Sequence, residues 1–137
     1  MDTSFSPLYR SIQSHCITIT VESLATDSLK ATAIFQFPET FCGFAGHFPG
    51  SAVLPGIVQL ASVRFLTEYV LSQSVLPVSY SDTKFRGLIL PNERVEVKIE
   101  LKKNESNWSG KFSLHKQEQT IVTTGQCEFA PVIRGTN

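Results

Sequence analysis

The residues best suited to chemistry in this chain lie between Gly46 and Gly56, in the run GHFPGSAVLPG. His47 carries an imidazole, whose ordinary pKa of about 6.5 suits it to taking up a proton at neutral pH. Gly56 follows nine residues later and stands where an uninterrupted apolar segment predicts a helix. Because the first amides of a helix have no intrahelical acceptor and carry partial positive charge, the Gly56 N–H is a predicted donor to a bound carbonyl oxygen. Together the two groups predict proton transfer next to a carbonyl.

The segment after Gly56 predicts the element that positions this amide. From Ile57 to about Gln73 the chain has no Pro or Gly, and apolar residues cover most of the helical circumference, as expected of a helix buried on nearly all sides. Pro55 suits a first helical position, where its missing N–H would be unpaired anyway. We therefore predict a central helix over residues 55–73. The residues that should mark its narrow polar stripe are Arg64, Thr67 and Glu68.

Alternating apolar residues predict strands on both sides of this helix. Two such segments precede His47 and four follow the helix, with turn residues between them. The segments are residues 16–22, 29–37, 78–90, 94–101, 108–115 and 120–129. Two strands, one long buried helix and several further antiparallel strands indicate an α+β fold in which a curved sheet wraps the helix.

The remaining segments complete one predicted domain over residues 1–137, a usual length for a single core. Residues 38–56 are dense in Gly, Pro and aromatic side chains, so we predict a structured active-site loop rather than a strand or helix. Residues 1–10 are polar and contain Pro7, which predicts a loosely held leader or a short helix.

The charge balance and hydropathy argue against two classes of partner. Lys and Arg together number 12, as do Asp and Glu, so no overall field attracts nucleic acid or an anionic membrane. No apolar run approaches the roughly 20 residues that span a bilayer, and the first residues do not resemble a secretory signal. We expect neither nucleic acid nor membrane as a partner.

Cysteine and histidine usage indicates the compartment and the chemistry. Three cysteines leave one unpaired in any disulfide scheme, which suits a reducing compartment and predicts a cytoplasmic protein. His15 and His115 have no partners at metal-ligand spacing. We therefore expect no metal site and no cofactor.

Two motifs resemble a known family. GHFPGSAVLPGI, residues 46–57, is similar to the G-H-F-P-x-x-P-x-M-P-G-V signature of the hotdog-fold 3-hydroxyacyl-[acyl-carrier-protein] dehydratases of the FabA/FabZ type. Downstream, TKFRGLILPNERVEVKIEL, residues 83–101, is similar to that family's second block, an F-R-x-x-V-x-P-G-D segment that leads into a strand. The order and spacing of the motifs also agree, so the resemblance covers residues from about 15 to 130.

The resemblance implies a hotdog fold that handles an acyl thioester on the phosphopantetheine arm of an acyl carrier protein. In that family the thioester lies in a tunnel between two subunits, so a homodimer or higher homo-oligomer is implied. His47 is the implied base that removes the C2 proton, and the Gly56 amide is the implied donor to the thioester carbonyl. The implied substrate-binding residues are Phe48, Pro49, Val53, Leu54, Pro55, Ala61 and Phe85.

One residue of the family pattern is missing. The acid that protonates the departing 3-hydroxyl should stand fourteen positions after the histidine, where this chain has Ala61. Ala52 and Phe65 depart from the pattern as well. Loss of a general acid costs on the order of 10²–10⁴-fold in rate. Glu68 would lie roughly 10 Å further along the helix, too far to replace the acid directly. Gln59 or an ordered water could donate a hydrogen bond, but neither is a strong acid, and a residue of the partner subunit is a further alternative.

Three functions remain open at this point. The leading hypothesis is a dehydratase-like protein for 3-hydroxyacyl thioesters of acyl carrier protein, in fatty acid or related acyl-chain synthesis. The second is a non-catalytic acyl-thioester-binding subunit that kept the tunnel and lost the acid, which Ala61 favours. The third is an acyl thioesterase, which would need a carboxylate to activate water near Gly56.

Overall fold

Six strands and two helices make up residues 6–44 and 52–133, the part of the chain that the computed structural model describes. The helices are α1 (Pro7–Ser14) and α2 (Gly56–Leu71). The strands are β1 (Cys16–Leu24), β2 (Ser28–Gln36), β3 (Val75–Phe85), β4 (Arg94–Asn104), β5 (Asn107–His115) and β6 (Ile121–Pro131). Short 3-10 turns cover Cys42–Phe44 and Gln117–Gln119.

The strands form one antiparallel sheet in the order β1-β2-β4-β5-β6-β3. Alternate residues of each inner strand face the core, which is why the period-2 pattern is visible in the sequence. In β2 the buried residues are Leu29, Ala31, Ala33 and Phe35, and their partners in β4 are buried as well. Register shifts in β1 and β3 are sites where a strand bends. The predicted hotdog architecture, one antiparallel sheet with one long helix, is confirmed.

α2 lies against this sheet and contacts β2, β3 and β4. It begins one residue later than predicted, because Pro55 keeps an extended backbone, with φ −62° and ψ 151°, and precedes the first helical residue. It ends two residues earlier than predicted, at Leu71. Ser72 adopts a left-handed conformation there, and the amides of Ser72 and Gln73 bond to carbonyls of the last turn, which closes the helix.

The polar stripe predicted for α2 is wrong. Arg64 and Thr67 are buried, Glu68 is largely buried, and the exposed side chains of the helix are instead Ile57 and Tyr69. Arg64 and Glu68 are covered because Tyr9 of the N-terminal segment docks on them, and the Thr67 hydroxyl bonds to the Val63 carbonyl of its own helix. A period-3.6 pattern cannot show which segment of the chain will cover a given face.

The N-terminal segment is a docked helix rather than a loosely held leader. Ser6 caps α1 by accepting a hydrogen bond from the Tyr9 amide at 3.1 Å, and Pro7 lies in the first turn, where proline is tolerated. Tyr9 and Ile12 are buried. The ring of Tyr9 packs edge-on against Phe65 of α2, so α1 closes one side of the core.

β3 also differs from its predicted limits. It begins at Val75 and includes Pro77, which an edge strand tolerates because one side of its backbone needs no ladder partner. It ends at Phe85, so residues 86–90 of the predicted strand are not strand. The amides of Arg86 and Gly87 both donate to the carbonyl of Val122, which turns the chain away from the ladder.

Neither described helix combines the length and apolar character needed to cross a bilayer. The middle of the predicted active-site loop, residues 45–51, lies outside the described residues. The extent of the domain over residues 1–137 stays a prediction.

Candidate functional site

The start of α2 carries the backbone donor that the sequence predicts. Gly56 is the first helical residue, and the amides of Val58 and Gln59 already donate to the Pro55 carbonyl, each at 3.1 Å. An amide at the first helical position has no acceptor within its own helix, and the described residues supply no other backbone acceptor for Gly56. This N–H can therefore donate to a bound group.

Phe85, at the end of β3, packs on this glycine. A Cβ built on Gly56 would lie 2.8 Å from Cζ of Phe85, closer than side chains approach one another in real structures. The ring leaves room for hydrogen only, which is one physical reason for glycine here. The two sequence motifs thus meet in space, and Phe85 is still half exposed.

The segment before the helix is bound on both sides. The Leu54 amide donates to the Ile89 carbonyl at 2.7 Å, and the Leu54 carbonyl accepts from Nε2 of Gln59 at 3.2 Å. The other end of the Gln59 side chain, Oε1, accepts from the hydroxyl of Thr123. Gln59 is only 3% exposed and is committed to these internal contacts. The suggestion that it donates to substrate in place of the missing acid is therefore unsupported.

The predicted substrate-binding residues fall into three groups. Phe48 and Pro49, with the predicted base His47, lie outside the described residues. Leu54 is buried in the core, while Val53, Pro55 and Ala61 are half-buried. Among the predicted binding residues that the structure describes, Phe85 is the most exposed. Thr123, which holds Gln59, had no signal in the sequence because it lies outside both motif blocks. Ile89 lies inside the second block, but it holds Leu54 through its backbone carbonyl, which residue type does not reveal.

Glu68 is the single carboxylate of α2, and the structure commits it to packing. Its Oε1 accepts from the Tyr9 hydroxyl, its Oε2 accepts from the Val75 amide at 2.7 Å, and Oε2 lies 3.6 Å from Nη2 of Arg64. This agrees with the expectation that it cannot replace an acid at position 61. Burial raises the pKa of Tyr9 far above its ordinary value, and the hydrogen bond to Glu68 raises it further.

The remaining titratable groups that the structure describes do not form a second centre. His115 Nε2 lies 2.8 Å from the Ser113 hydroxyl on the same strand, and the His15 ring packs edge-on against Phe37 and Phe41. Burial raises the pKa of the Cys127 thiol to about 12, which keeps it protonated and unreactive. Across residues 6–44 and 52–133 no cluster of metal-ligating side chains occurs.

Comparison with known proteins assigns the family. The profile of the ApeI-like family, described as ApeI dehydratase, matches residues 23–126. The chain belongs to the ApeI-like family. The match includes both the helix start at Gly56 and the packing residue Phe85, although Ala61 stands where dehydratases of the FabA/FabZ type carry an acid.

A curated relative is likewise a dehydratase. The 3-hydroxyacyl-[acyl-carrier-protein] dehydratase FabZ of Lactiplantibacillus plantarum is 30% identical to this ApeI-like chain over 88 residues, which are 59% of this chain and 58% of FabZ. The match thus spans a little over half the length of that relative.

Solved structures confirm the hotdog fold of the ApeI-like chain. The dehydratase heterocomplex ApeI:P from Xenorhabdus doucetiae aligns with a TM-score of 0.65 at 20% identity, over 84% of this chain and 96% of that one. A hypothetical thioesterase of Streptococcus pneumoniae TIGR4, solved with coenzyme A, aligns with a TM-score of 0.61 at 9% identity, over 94% and 97%. At these identities the likeness establishes the fold.

Proposed function

We propose that this ApeI-like protein acts on 3-hydroxyacyl thioesters of an acyl carrier protein, with His47 as the base and the Gly56 amide polarising the thioester carbonyl. The observation that carries the proposal is the Gly56 N–H, which begins α2 without a backbone acceptor among the described residues. The family's dehydratase members and the FabZ relative support the choice of substrate.

The chemistry divides between these two groups. His47 takes the proton from C2, and the negative charge that develops on the carbonyl oxygen is stabilised by the Gly56 N–H and the positive end of the helix. The C2–C3 double bond forms as the C3–O bond breaks, and the 3-hydroxyl leaves as water. Because Ala61 cannot supply the proton for that water, the proton comes from the His47 imidazolium or from another chain.

The test is turnover of defined thioesters by the purified protein. 3-Hydroxyacyl and enoyl thioesters of acyl carrier protein are incubated with it, while the enoyl product and released thiol are followed separately. We expect interconversion of the two thioesters and its loss in His47→Ala. Turnover unchanged in His47→Ala would contradict the assigned base, and thiol release without dehydration would indicate a thioesterase.

A second candidate is a subunit that binds acyl thioesters and needs a different chain for the acid. Two observations favour it: Ala61 replaces the acid, and ApeI from Xenorhabdus doucetiae is found in a dehydratase heterocomplex. Ala61→Glu distinguishes the candidates. A rise of roughly 10²–10⁴-fold in turnover would mean that the remaining site is complete, whereas no rise in a folded, thioester-binding variant would favour the subunit.

A thioesterase is the weakest of the three candidates. Structures of this fold from Streptococcus pneumoniae are described as those of a hypothetical thioesterase. A carboxylate is needed to activate water, however, and the single carboxylate of α2 is bound to Tyr9, Val75 and Arg64. The thiol-release measurement decides it.

We further propose a homodimer as the minimum assembly. Large apolar side chains are exposed around the helix start and the β3 end, which is unusual for a surface unless another chain covers it. They are Ile57, Phe85, Leu88 and Leu90. Sedimentation equilibrium should give twice the 15.2 kDa chain mass or a multiple of it. Cytoplasmic location and the carrier protein as partner belong to the same proposal.

A further inference from the structure

Hydrogen bonds form a closed ring around the start of α2. Thr123 donates to Gln59, Gln59 donates to the Leu54 carbonyl, and the Leu54 amide donates to the Ile89 carbonyl. The chain then runs back from Ile89 to Arg86 and Gly87, whose amides donate to Val122 at 2.7 and 3.2 Å. Val122 precedes Thr123, which completes the ring.

The ring replaces the local cap that this helix lacks. Pro55 has no side chain that could bond to the first amides, and α2 has no side-chain cap. Most helices fix their first turn with a Ser, Thr, Asp or Asn at this position. Here the orientation of the first turn depends on contacts from β6 and from the segment after β3.

The two side chains of the ring, Gln59 and Thr123, lie in the interior of the protein and bond to each other. Thr123 is fully buried and Gln59 nearly so, and both make hydrogen bonds only with other parts of the chain. A buried polar network that is fully bonded holds a single geometry, because loss of one partner leaves another group unsatisfied in a low-dielectric interior. Gln59 is the node, since it links the helix to Leu54 and to β6.

We propose that Gln59 and Thr123 are positioning residues that set the direction of the Gly56 N–H. Both act through the backbone of residues 54–56 and touch no substrate. The inference rests on the proposed function for its catalytic consequence, but the direction of the amide is a property of the protein without ligand. The two parts can therefore be measured separately.

The test compares two buried threonines. Thr123→Val removes the hydroxyl that belongs to the ring, and Thr67→Val removes one that bonds to its own helix at Val63, 3.0 Å away. Both positions are fully buried, so the two variants lose similar hydroxyls from similar environments. Thr123→Ser keeps the hydroxyl donor. If Thr123→Val folds poorly, Gln59→Met interrupts the ring at a second place by removing the Gln59 amide group.

The first measurement is the residual dipolar coupling of the Gly56 N–H in the unliganded protein. We expect it to change in Thr123→Val and Gln59→Met, and to stay at the wild-type value in Thr67→Val and Thr123→Ser. A coupling that is unchanged in the folded ring variants would overturn the inference, whatever the activity of the wild-type protein.

The second measurement is the steady-state rate with an enoyl thioester. Since misplacement of a polarising group by a fraction of a bond length is costly, kcat should fall on the order of ten- to a hundredfold in Thr123→Val with KM changed less than about threefold. Thr67→Val should retain the wild-type kcat per folded molecule. An equal fall in both threonine variants would mean that the ring is merely structural, and an inactive wild type would count against the proposed function alone.

Discussion

The first and last turns of α2 both carry buried polar side chains, yet they use them differently. At the last turns, Glu68 accepts from the Tyr9 hydroxyl and the Val75 amide and pairs with Arg64, and Tyr9 of α1 lies over both charged side chains. At the first turn, Gln59 bonds to the backbone and to β6 while the Gly56 amide is left without a backbone acceptor among described residues. The side chain next to that amide, Ile57, is 74% exposed.

The difference separates stability from chemistry along one helix. At the C-terminal turns of α2, the closed end, the charged and hydrogen-bonding groups pair with one another and hold α1 in place. Substitutions there should therefore change the free energy of unfolding. At the first turn of α2, the open end, Gln59 and Thr123 orient the Gly56 N–H but do not accept its hydrogen bond. Substitutions there should therefore change the catalytic rate. The following variants are designed to break or sharpen that division.

Removal of the carboxylate at the closed end should have the largest effect. Glu68→Ala removes the acceptor of the Tyr9 hydroxyl and of the Val75 amide, and it takes the carboxylate away from Arg64. It should cost about 3–5 kcal/mol of unfolding free energy. Urea unfolding followed by fluorescence of Trp108, the single tryptophan, measures it. The matched control is Glu100→Ala, whose exposed carboxylate lies 3.9 Å from Lys111 Nζ and should contribute almost nothing. Equal costs for the two variants would break the comparison.

Removal of the N–H at the open end should lower the rate and spare the fold, because the half-exposed Phe85 ring can shift to admit an added carbon. Gly56→Pro deletes the donor at a helical position that tolerates proline, and the extended backbone of Pro55 suits a residue before proline. We expect kcat to fall about 10²–10³-fold, as for loss of an oxyanion donor. Gly56→Ala introduces the same contact with Phe85 but keeps the N–H. An equal loss in the alanine variant would mean that crowding, not the donor, explains the result.

A smaller change separates the hydroxyl of Tyr9 from its ring. Tyr9→Phe keeps the contacts with Phe65 and Arg64 but removes the donor to Glu68, and should cost about 2 kcal/mol because the acceptor is charged. In Tyr80→Phe the lost bond, to the Leu60 carbonyl, is long at 3.4 Å. Its removal should cost no more than about 0.5 kcal/mol, and urea midpoints compare the two.

The smallest expected effect is on alkaline stability. Burial and Glu68 raise the pKa of Tyr9 above its ordinary value of 10.0, so the folded state keeps a proton that the unfolded chain releases. The contribution of Tyr9 to stability should therefore be complete below about pH 9 and fall as the pH rises through 10, by about 1 kcal/mol between pH 9.5 and 11. This loss adds to those from Cys127 and Tyr80, whose pKa values burial also raises. Tyr9→Phe should have a shallower slope in urea titrations over that range. An identical slope would remove Tyr9 as the cause.

Local sequence patterns were enough to predict the strands and the central helix. Alternation in Leu29–Ala31–Ala33–Phe35 predicts β2 because side-chain direction in a strand is a property of neighbouring residues, and the long apolar segment after Gly56 predicts a central helix for the same kind of reason. The first and last residues of these elements were less predictable. Proline stereochemistry fits either side of a helix start, so the sequence predicts Pro55 inside α2 although it lies just outside.

The candidate site was predictable only where a motif carries it. The sequence predicts Gly56 and Phe85 as site residues through two motif blocks, and it places Ala61 where the family resemblance implies an acid. Only the tertiary structure decided that Phe85 packs on Gly56, that α1 buries Arg64 and Glu68, and that Thr123 holds Gln59. The Tyr9–Glu68 bond joins residues that are 59 positions apart in the chain, and the Thr123–Gln59 bond joins residues that are 64 positions apart. Contacts at such separations are set by how the sheet and helices pack, which no short-range pattern of residues records.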